Sequence, residues 1–181
     1  MPVIFLDRDG VINRYPGDTK YVTSWKGFKF LPRAKEAIAA LYKNKFKVFV
    51  ISNQAGVGKG VYTQKKLDLI TRNMFKEIRK SRGDIDGVYY CTHRPQDDCP
   101  CRKPKAGLLN IAKKKHRLDL KKAFFIGDTI RDVHTAKIAG CKSILVLSGK
   151  EKLANQKNWE IQPDFIFKDL LSAVRFIVTS K

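Results

Sequence analysis

Two aspartates, Asp7 and Asp9, directly follow an apolar run at the start of the chain. That run, Val3 to Leu6, predicts a buried strand, and carboxylates at its end are costly to bury without a cation. Mg²⁺ prefers hard oxygen ligands and also binds phosphates, so the pair predicts magnesium-assisted phosphate chemistry. One aspartate can attack phosphorus and form an acyl phosphate, while the other protonates the leaving oxygen. The structural alternative is that both only shape a turn before Gly10.

Two later segments place polar side chains after apolar runs in the same way. Ser52, Asn53 and Gln54 follow the run Lys47 to Ile51, and their hydroxyl and amide groups can hold a phosphate. A further apolar run, Ala123 to Ile126, is followed by the pattern G-D-x-x-x-D, whose first aspartate is Asp128. Because the carboxyl ends of parallel strands meet at one edge of a sheet, the three segments predict a single site.

Three of the four cysteines lie close to one histidine in the pattern C-x-H-x5-C-x-C. Cys91, His93, Cys99 and Cys101 supply three thiolates and an imidazole, which is a closed tetrahedral ligand set for zinc. Four protein ligands leave no position for water, so this zinc is predicted to be structural and to fold a proline-rich loop. Reduced thiols without metal are the alternative. Cys141 is predicted to be a core residue.

The elements that must position these residues are indicated by apolar runs that alternate with amphipathic segments. Strands are predicted at Val3–Leu6, Lys47–Ile51, Val88–Tyr90, Ala123–Ile126 and Ser143–Leu147, and helices at about Pro32–Lys43, Thr63–Arg79, Lys105–His116 and Arg131–Ala139. This alternation predicts β-α-β units and a parallel sheet covered on both faces. Two irregular stretches, Asn13–Lys29 and Arg94–Pro104, are expected to form or border the site.

Length and composition predict one domain that spans residues 1–181. Hydrophobic residues make up 43% of the chain and charged residues 30%, which excludes a disordered polar tail. No apolar run approaches the length of a membrane span, and the first residues do not resemble a signal peptide. We therefore expect a cytoplasmic protein that does not insert into membranes, and a monomer.

The charge balance is strongly basic. Lys and Arg total 37 against 17 Asp and Glu, which gives a net charge of +20 and a pI near 10.0. Such a surplus makes nucleic acids, anionic membranes and phosphorylated metabolites candidate partners. A basic surface without a dedicated partner is the alternative, because the lysines are scattered along the chain.

The order D-R-D-G, S-N-Q, C-R-K-P and G-D-x-x-x-D resembles the haloacid dehalogenase (HAD) superfamily of phosphatases, subfamily IIIA, over nearly the whole chain. The resemblance is to the branch of histidinol phosphatases and heptose-bisphosphate phosphatases. It implies an α/β, Rossmann-like three-layer sandwich with a mostly parallel central sheet and a zinc-binding loop at residues 91–104. The segments between the motifs are too short for a large cap domain.

The resemblance also implies roles for individual residues. Asp7 would be the nucleophile and Asp9 the general acid/base. Mg²⁺ would be held by the Asp7 carboxylate, the Asp9 main-chain carbonyl and the Asp128 carboxylate. Ser52 would bind the transferring phosphoryl group, and Lys103 would neutralise its charge.

Four residues are predicted to contact the substrate: Arg8, Asn53, Gln54 and Arg102. The branch usually has Lys or Arg directly after the metal-binding aspartate of its last motif, whereas this chain has Thr129. The loss of that cation could weaken phosphate binding, or Arg131 could compensate from the next turn.

The resemblance implies a magnesium-dependent phosphomonoester hydrolase that acts through an aspartyl phosphate. D-glycero-D-manno-heptose 1,7-bisphosphate, an intermediate of nucleotide-heptose synthesis, is the leading substrate, and histidinol phosphate is the alternative. The net charge suggests a different class, a nucleic-acid 3′-phosphatase or a basic nucleic-acid-binding protein. A purely structural role for the zinc loop, with idle aspartates, is a further alternative.

Overall fold

The computed structural model describes residues 2–180 and contains one six-stranded parallel sheet in the order β3-β2-β1-β4-β5-β6. The strands are β1 Val3–Leu6, β2 Lys47–Asn53, β3 Gly87–Cys91, β4 Ala123–Gly127, β5 Lys142–Val146 and β6 Phe165–Phe167. The helices are α1 Ala34–Lys43, α2 Gln64–Lys80, α3 Gly107–His116, α4 Ile130–Ala139 and α5 Leu170–Thr179.

Side chains alternate between the two faces of the sheet, and both faces are covered. In β1, Ile4 and Leu6 join the core formed with α1, α2 and α5, whereas Val3 and Phe5 join the core formed with α3. The α4 residue Ala136 belongs to that second core as well. All four residues of β1 are buried, as expected for a central strand of a parallel sheet. The predicted three-layer α/β architecture is therefore confirmed.

The five predicted strands and four predicted helices are present, with shifted ends. Helix α1 begins at Ala34, two residues after the predicted start, because Arg33 at its N-cap is left-handed, with φ of 61°. Helix α2 begins as expected, since the Thr63 hydroxyl accepts a hydrogen bond from the backbone N–H of Lys66. The sequence interpretation did not include β6 and α5.

The connections between strands leave the carboxyl edge of the sheet uncovered by a second sheet within residues 2–180. The link from β1 to β2 consists of a long loop and α1, and the link from β3 to β4 contains the cysteine-rich loop and α3. The predicted absence of a large cap domain fits this topology. No described helix is long and apolar enough to cross a membrane.

Candidate active site

The carboxyl ends of β1, β2 and β4 enclose a cavity of about 290 Å³. Asp7 and Asp9 extend from β1, Ser52 lies at the end of β2, and Asp128 follows β4. Lys103 reaches the same cavity from the loop before α3. The structure thus brings together the residues that the sequence predicted to carry phosphate chemistry.

Three buried carboxylates surround one buried lysine. The Lys103 ammonium lies 2.9 Å from an oxygen of Asp7 and 2.6 Å from an oxygen of Asp132, and it donates to the Ile51 carbonyl at 3.2 Å. Ligand oxygens of Asp7, Asp128 and Asp132 all lie within 4.8 Å of one another, so this group could hold a metal ion. Asp132 was visible in the last motif, but no role was predicted for it.

The electrostatics of this group are unfavourable without a cation. Burial is the main cause that raises the pKa of Asp7 to about 6; the attraction of Lys103 opposes this rise, and repulsion from Asp132 adds to it. Burial, followed by repulsion from Asp132 and Asp7, raises the pKa of Asp128 well above its ordinary value. For Lys103, burial alone would lower the pKa, but the attraction of Asp132 and Asp7 outweighs burial and raises it.

Asp128 is enclosed by two glycines that leave no room for a side chain. A Cβ on Gly10 would lie 2.1 Å from a carboxylate oxygen of Asp128, and a Cβ on Gly149 would lie 2.0 Å from the same oxygen. Gly10 also has a φ of +83°, which disfavours other residues. The backbone N–H of Lys150 donates to that oxygen at 2.8 Å. The loop after β5, which the sequence interpretation missed, therefore fixes the Asp128 carboxylate.

Asp9 is held by three side chains. The Arg8 guanidinium pairs with both carboxylate oxygens, through Nη2 at 3.0 and 3.1 Å. Asn13 donates to one oxygen at 2.7 Å and Gln54 to the other at 3.0 Å. Such a set of donors fixes the orientation of the carboxylate.

This arrangement corrects the prediction that Arg8 binds substrate. Arg8 is fully buried and does not line the cavity; its guanidinium lies 6.0 Å from the ring centroid of Phe28 and 5.8 Å from that of Tyr90 while it pairs with Asp9. Arg8 lies at a bend after β1, where its carbonyl accepts hydrogen bonds from the backbone N–H groups of Ile12 and Asn13. Arg8 orients Asp9 instead.

Gln54 connects the ends of β1 and β2. Its amide nitrogen donates to Asp9 and, at 3.2 Å, to the Ser52 hydroxyl, while its carbonyl accepts from the hydroxyl of Tyr62 at 2.6 Å. Both amide functions of Gln54 are thus bonded within the protein. Tyr62 is buried and was missed, since only the course of the glycine-rich loop brings its hydroxyl to this amide.

The other two predicted substrate contacts, Asn53 and Arg102, both line the cavity. The Asn53 side chain accepts from the Lys103 backbone N–H at 3.1 Å and donates to the Lys103 carbonyl at 3.2 Å, which anchors that lysine. Arg102 is half-buried, and among the residues described its Nη1 atom has no hydrogen-bond partner despite being buried. Arg102 is therefore the predicted contact most available to a ligand.

Thr129 has a local role at the start of α4. Its hydroxyl donates to an oxygen of Asp132 at 2.7 Å, and its backbone N–H donates to the same oxygen at 3.1 Å, which forms a capping box. Asp132 is thereby oriented so that its other oxygen faces Lys103. Arg131, the residue named as the alternative source of the cation missing at position 129, is exposed and lines the cavity.

The predicted zinc ligands also lie together, with all four ligand atoms within 4.8 Å of one another. The Cys91 and Cys99 sulfurs are 3.5 Å apart, and those of Cys99 and Cys101 are 3.4 Å apart. His93 Nδ1 lies 3.8 Å from the Cys91 sulfur and 3.3 Å from the Cys101 sulfur. In a tetrahedral zinc site, two thiolate sulfurs are expected to lie about 3.7 Å apart. The separations observed here are close to that distance, so the cluster could hold zinc.

Several known proteins are similar to this chain in sequence and fold. Residues 100–173 match a family model described as HAD-hydrolase-like. The D-glycero-beta-D-manno-heptose-1,7-bisphosphate 7-phosphatase of Pseudomonas putida is 32% identical over 178 residues, covering 98% of this chain and all of that protein. The chain belongs to the HAD superfamily of phosphatases. The resemblance noted in the motifs is confirmed, and the HAD phosphatase described here is a phosphoric monoester hydrolase.

Further relatives agree with this assignment. An enzyme with the same name from Helicobacter pylori strain 26695 is 33% identical to this HAD phosphatase, with 95% of this chain and 96% of that protein covered. Among solved structures, D,D-heptose 1,7-bisphosphate phosphatase from B. bronchiseptica, complexed with magnesium and phosphate, is 28% identical with a TM-score of 0.90, and both chains are fully covered.

Proposed function

We propose that this HAD phosphatase removes one phosphate from D-glycero-D-manno-heptose 1,7-bisphosphate through an aspartyl phosphate on Asp7. The observation that carries the mechanism is the cavity in which Lys103 bridges Asp7 and Asp132, with Asp9 two residues beyond Asp7. The names of the relatives from P. putida and H. pylori support the choice of substrate.

The chemistry follows from the positions of the two aspartates. A carboxylate oxygen of Asp7 attacks phosphorus, the bond from phosphorus to the ester oxygen breaks, and Asp9 donates a proton to the leaving alcohol. Water then attacks the phosphoryl group, Asp9 takes up a proton from that water, and phosphate leaves with Asp7 restored. Lys103 offsets the negative charge of the phosphoryl group, and Ser52 is its hydrogen-bonding partner.

The donor set at the cavity fits Mg²⁺. Three buried carboxylates against one buried ammonium leave two uncompensated negative charges, which a divalent cation with a preference for oxygen would balance. We assign the ligands to the carboxylates of Asp7 and Asp128 and the main-chain carbonyl of Asp9, with Asp132 close by. When bound, the ion supplies positive charge to the phosphoryl oxygens. The solved relative complexed with magnesium and phosphate supports this assignment.

We assign structural zinc to Cys91, His93, Cys99 and Cys101. The loop that carries the last two ligands runs directly into Arg102 and Lys103. Zinc would therefore hold the backbone from which both cations reach the cavity, and four protein ligands leave no position open for catalysis.

Recognition of the sugar is assigned to Arg102 and to the rim of the cavity. The unpartnered Nη1 of Arg102 and the exposed Arg131 offer donors to a phosphorylated, hydroxylated substrate. The rim is completed by loop residues Tyr15, Asp18, Lys20 and Tyr21 and by Lys150. We further propose that residues 1–181 act as one domain, as a monomer and in the cytoplasm, where the thiols stay reduced.

Phosphate release from a substrate panel tests the proposal. The panel contains both anomers of heptose 1,7-bisphosphate, histidinol phosphate and an oligonucleotide with a 3′-phosphate, each with Mg²⁺. We expect kcat/KM for one heptose anomer to exceed every other value by about a hundredfold, a discrimination of about 3 kcal/mol. Asp7→Asn should abolish turnover, whereas the matched control Asp68→Asn, on the exposed face of α2, should leave it unchanged. Faster turnover of histidinol phosphate or of the oligonucleotide would overturn the substrate assignment.

A further inference from the structure

A second groove lies at the opposite edge of the sheet, at the amino ends of β1, β2 and β4. Its volume is about 550 Å³, larger than that of the active-site cavity. Val3 and Leu118 are buried beneath it, and Lys47, Arg117 and Lys122 line it. We call these five residues and their neighbours the amino-edge groove.

The sheet register places two of these cations on either side of β1. Lys47 pairs with Val3, and Lys122 directly precedes Ala123, which pairs with Val3 from the other side. With strands about 4.8 Å apart, the two lysines straddle β1 at roughly 10 Å. The groove is therefore basic on both walls.

These charges are not compensated within the described part of the chain. Lys47, Arg117 and Lys122 form no ion pair with any of residues 2–180. The acidic residue of the groove, Asp119, accepts a hydrogen bond from the Lys121 backbone N–H, which caps a short helical turn. Four more lysines stand close to these residues in the sequence, in the last turn of α3 and before β4, and have no ion pair within residues 2–180: Lys113, Lys114, Lys115 and Lys121.

Helix stabilisation explains only part of this surplus. Cations in the last turn of α3 interact favourably with the negative end of the helix. Lys47 stands at the start of β2, outside any helix, so its placement needs another account. The catalytic acids occupy the opposite edge of the sheet.

We propose that the amino-edge groove binds the phosphate backbone of a nucleic acid strand without reading its sequence. A concave basic surface suits a chain of phosphates, and neutralising them releases condensed counterions. The large hydrophobic side chains that are exposed within residues 2–180 lie outside the groove, so it lacks the apolar face with which an interfacial helix enters a membrane. His116 is the single aromatic ring among its described lining residues, so bases have little to stack on.

Fluorescence anisotropy tests the proposal with a labelled single-stranded RNA that carries no terminal phosphate and therefore offers the active site no substrate. The groove variant combines Lys47→Gln, Arg117→Asn and Lys122→Gln. Asn suits position 117, where φ is 53°. The control variant combines Lys65→Gln, Arg72→Gln and Lys76→Gln on the exposed side of α2. Both variants lose three positive charges, and both should keep the wild-type rate of phosphate release from a small phosphomonoester.

Relative to the wild-type protein, we expect the groove variant to bind the RNA at least about tenfold more weakly. Between about 50 and 200 mM salt, the slope of log K against log salt should be smaller in magnitude for the groove variant than for the wild-type protein, by about two to three. The control should lose less than about threefold. Equal losses in both variants, or no binding by the wild-type protein, would overturn the proposal. Groove-dependent binding of vesicles containing phosphatidylserine, without RNA binding, would also overturn it. Should the triple variant unfold, Lys122→Gln alone provides the same comparison with Lys76→Gln.

Discussion

At the scale of single residues, Asp9 depends on a buried guanidinium that a substrate does not reach. Arg8 has no exposed surface, and it pairs with both oxygens of Asp9. Removing this cation leaves a largely buried carboxylate without its charge partner, which costs far more than the loss of a surface ion pair. Stability and catalysis should therefore both depend on Arg8.

We expect Arg8→Gln to lower the free energy of unfolding by about 2–4 kcal/mol and kcat by at least about tenfold. The control is Arg33→Gln, whose partner Glu36 and whose own side chain are both about half exposed. That change should leave both quantities within error. Urea unfolding and steady-state kinetics measure the effects, and equal small changes in the two variants would refute the positioning role of Arg8.

The Tyr62 hydroxyl should also help to orient Asp9, because it holds the Gln54 side chain that donates to Asp9. Tyr62→Phe removes the donor to the Gln54 carbonyl and frees the amide that holds Asp9 and Ser52. The loss of one hydrogen bond of about 1 kcal/mol predicts a fall in kcat of about fivefold with KM little changed. Tyr89→Phe is the matched control, because its hydroxyl bonds to His116 away from the cavity. Equal kcat values for the two variants would contradict the prediction.

The raised pKa of Asp7 predicts a pH-dependent effect in the metal-free protein. Its pKa is 3.8 ordinarily and about 6 in the fold, chiefly because of burial. The folded state thus binds the Asp7 proton more tightly, and the contribution of Asp7 to stability falls as pH rises from about 4 to about 6. In EDTA, Asp7→Asn should match wild-type stability near pH 4 and exceed it by about 3 kcal/mol above pH 6.

Thermal melts of both proteins from acidic to neutral pH measure this difference. Mg²⁺ at neutral pH should raise the Tm of the wild-type protein and not that of Asp7→Asn. A difference that does not change with pH would show that Asp7 is not destabilised by its burial.

Residues that directly follow a buried strand could be placed from the sequence. Asp7, Ser52 and Asp128 are of this kind, because strand ends of a parallel sheet share an edge. Tyr62 and Lys150 could not be placed, since their contacts depend on the paths of long loops. The role of Arg8 was misjudged because spacing within D-R-D-G does not show which way the middle side chain turns.

At the scale of elements, the loop from Cys91 to Lys103 joins the cysteine–histidine cluster to the buried Lys103 of the cavity. Its four ligands lie within eleven residues of the chain, so the cluster could be predicted from local spacing alone. The loop offers few apolar side chains, and its order is expected to come from zinc.

We expect Cys99→Ser to reduce bound zinc from about one per chain to a small fraction and to lower kcat as Lys103 loses its anchor. Cys141→Ser makes the same atomic change at a buried cysteine outside the cluster and should keep its zinc. Atomic emission measures the zinc content of both variants, and steady-state kinetics measures their kcat. Full zinc content in Cys99→Ser would exclude the site.

The elements themselves were largely predictable, except at the end of the chain. Strand β6 has only three residues and lies at the edge of the sheet, so its apolar signal is short. Helix α5 has a capping box of Asp169 and Ser172 that offered a usable start signal. His116, at the end of α3, is half-buried: it is bonded to the Tyr89 hydroxyl, and its ring centroid lies 4.7 Å from that of Phe49.

At the scale of the whole molecule, the sheet separates two kinds of charge. The carboxyl edge gathers buried acids around Lys103, whereas the amino-edge groove gathers cations that have no ion pair within residues 2–180. The net charge of +20 was evident from composition, but its separation depends on strand order and register, which composition does not contain. The basic groove is therefore expected to act independently of phosphate hydrolysis.

Trapping of the covalent intermediate tests the central claim most directly. The enzyme is mixed with Mg²⁺ and a heptose 1,7-bisphosphate labelled with ³²P at the phosphate that it releases, quenched in acid within one turnover, digested and mapped. The account predicts label on the peptide that contains Asp7, and none in Asp7→Asn. Turnover without any labelled peptide, or label on a different residue, would contradict it.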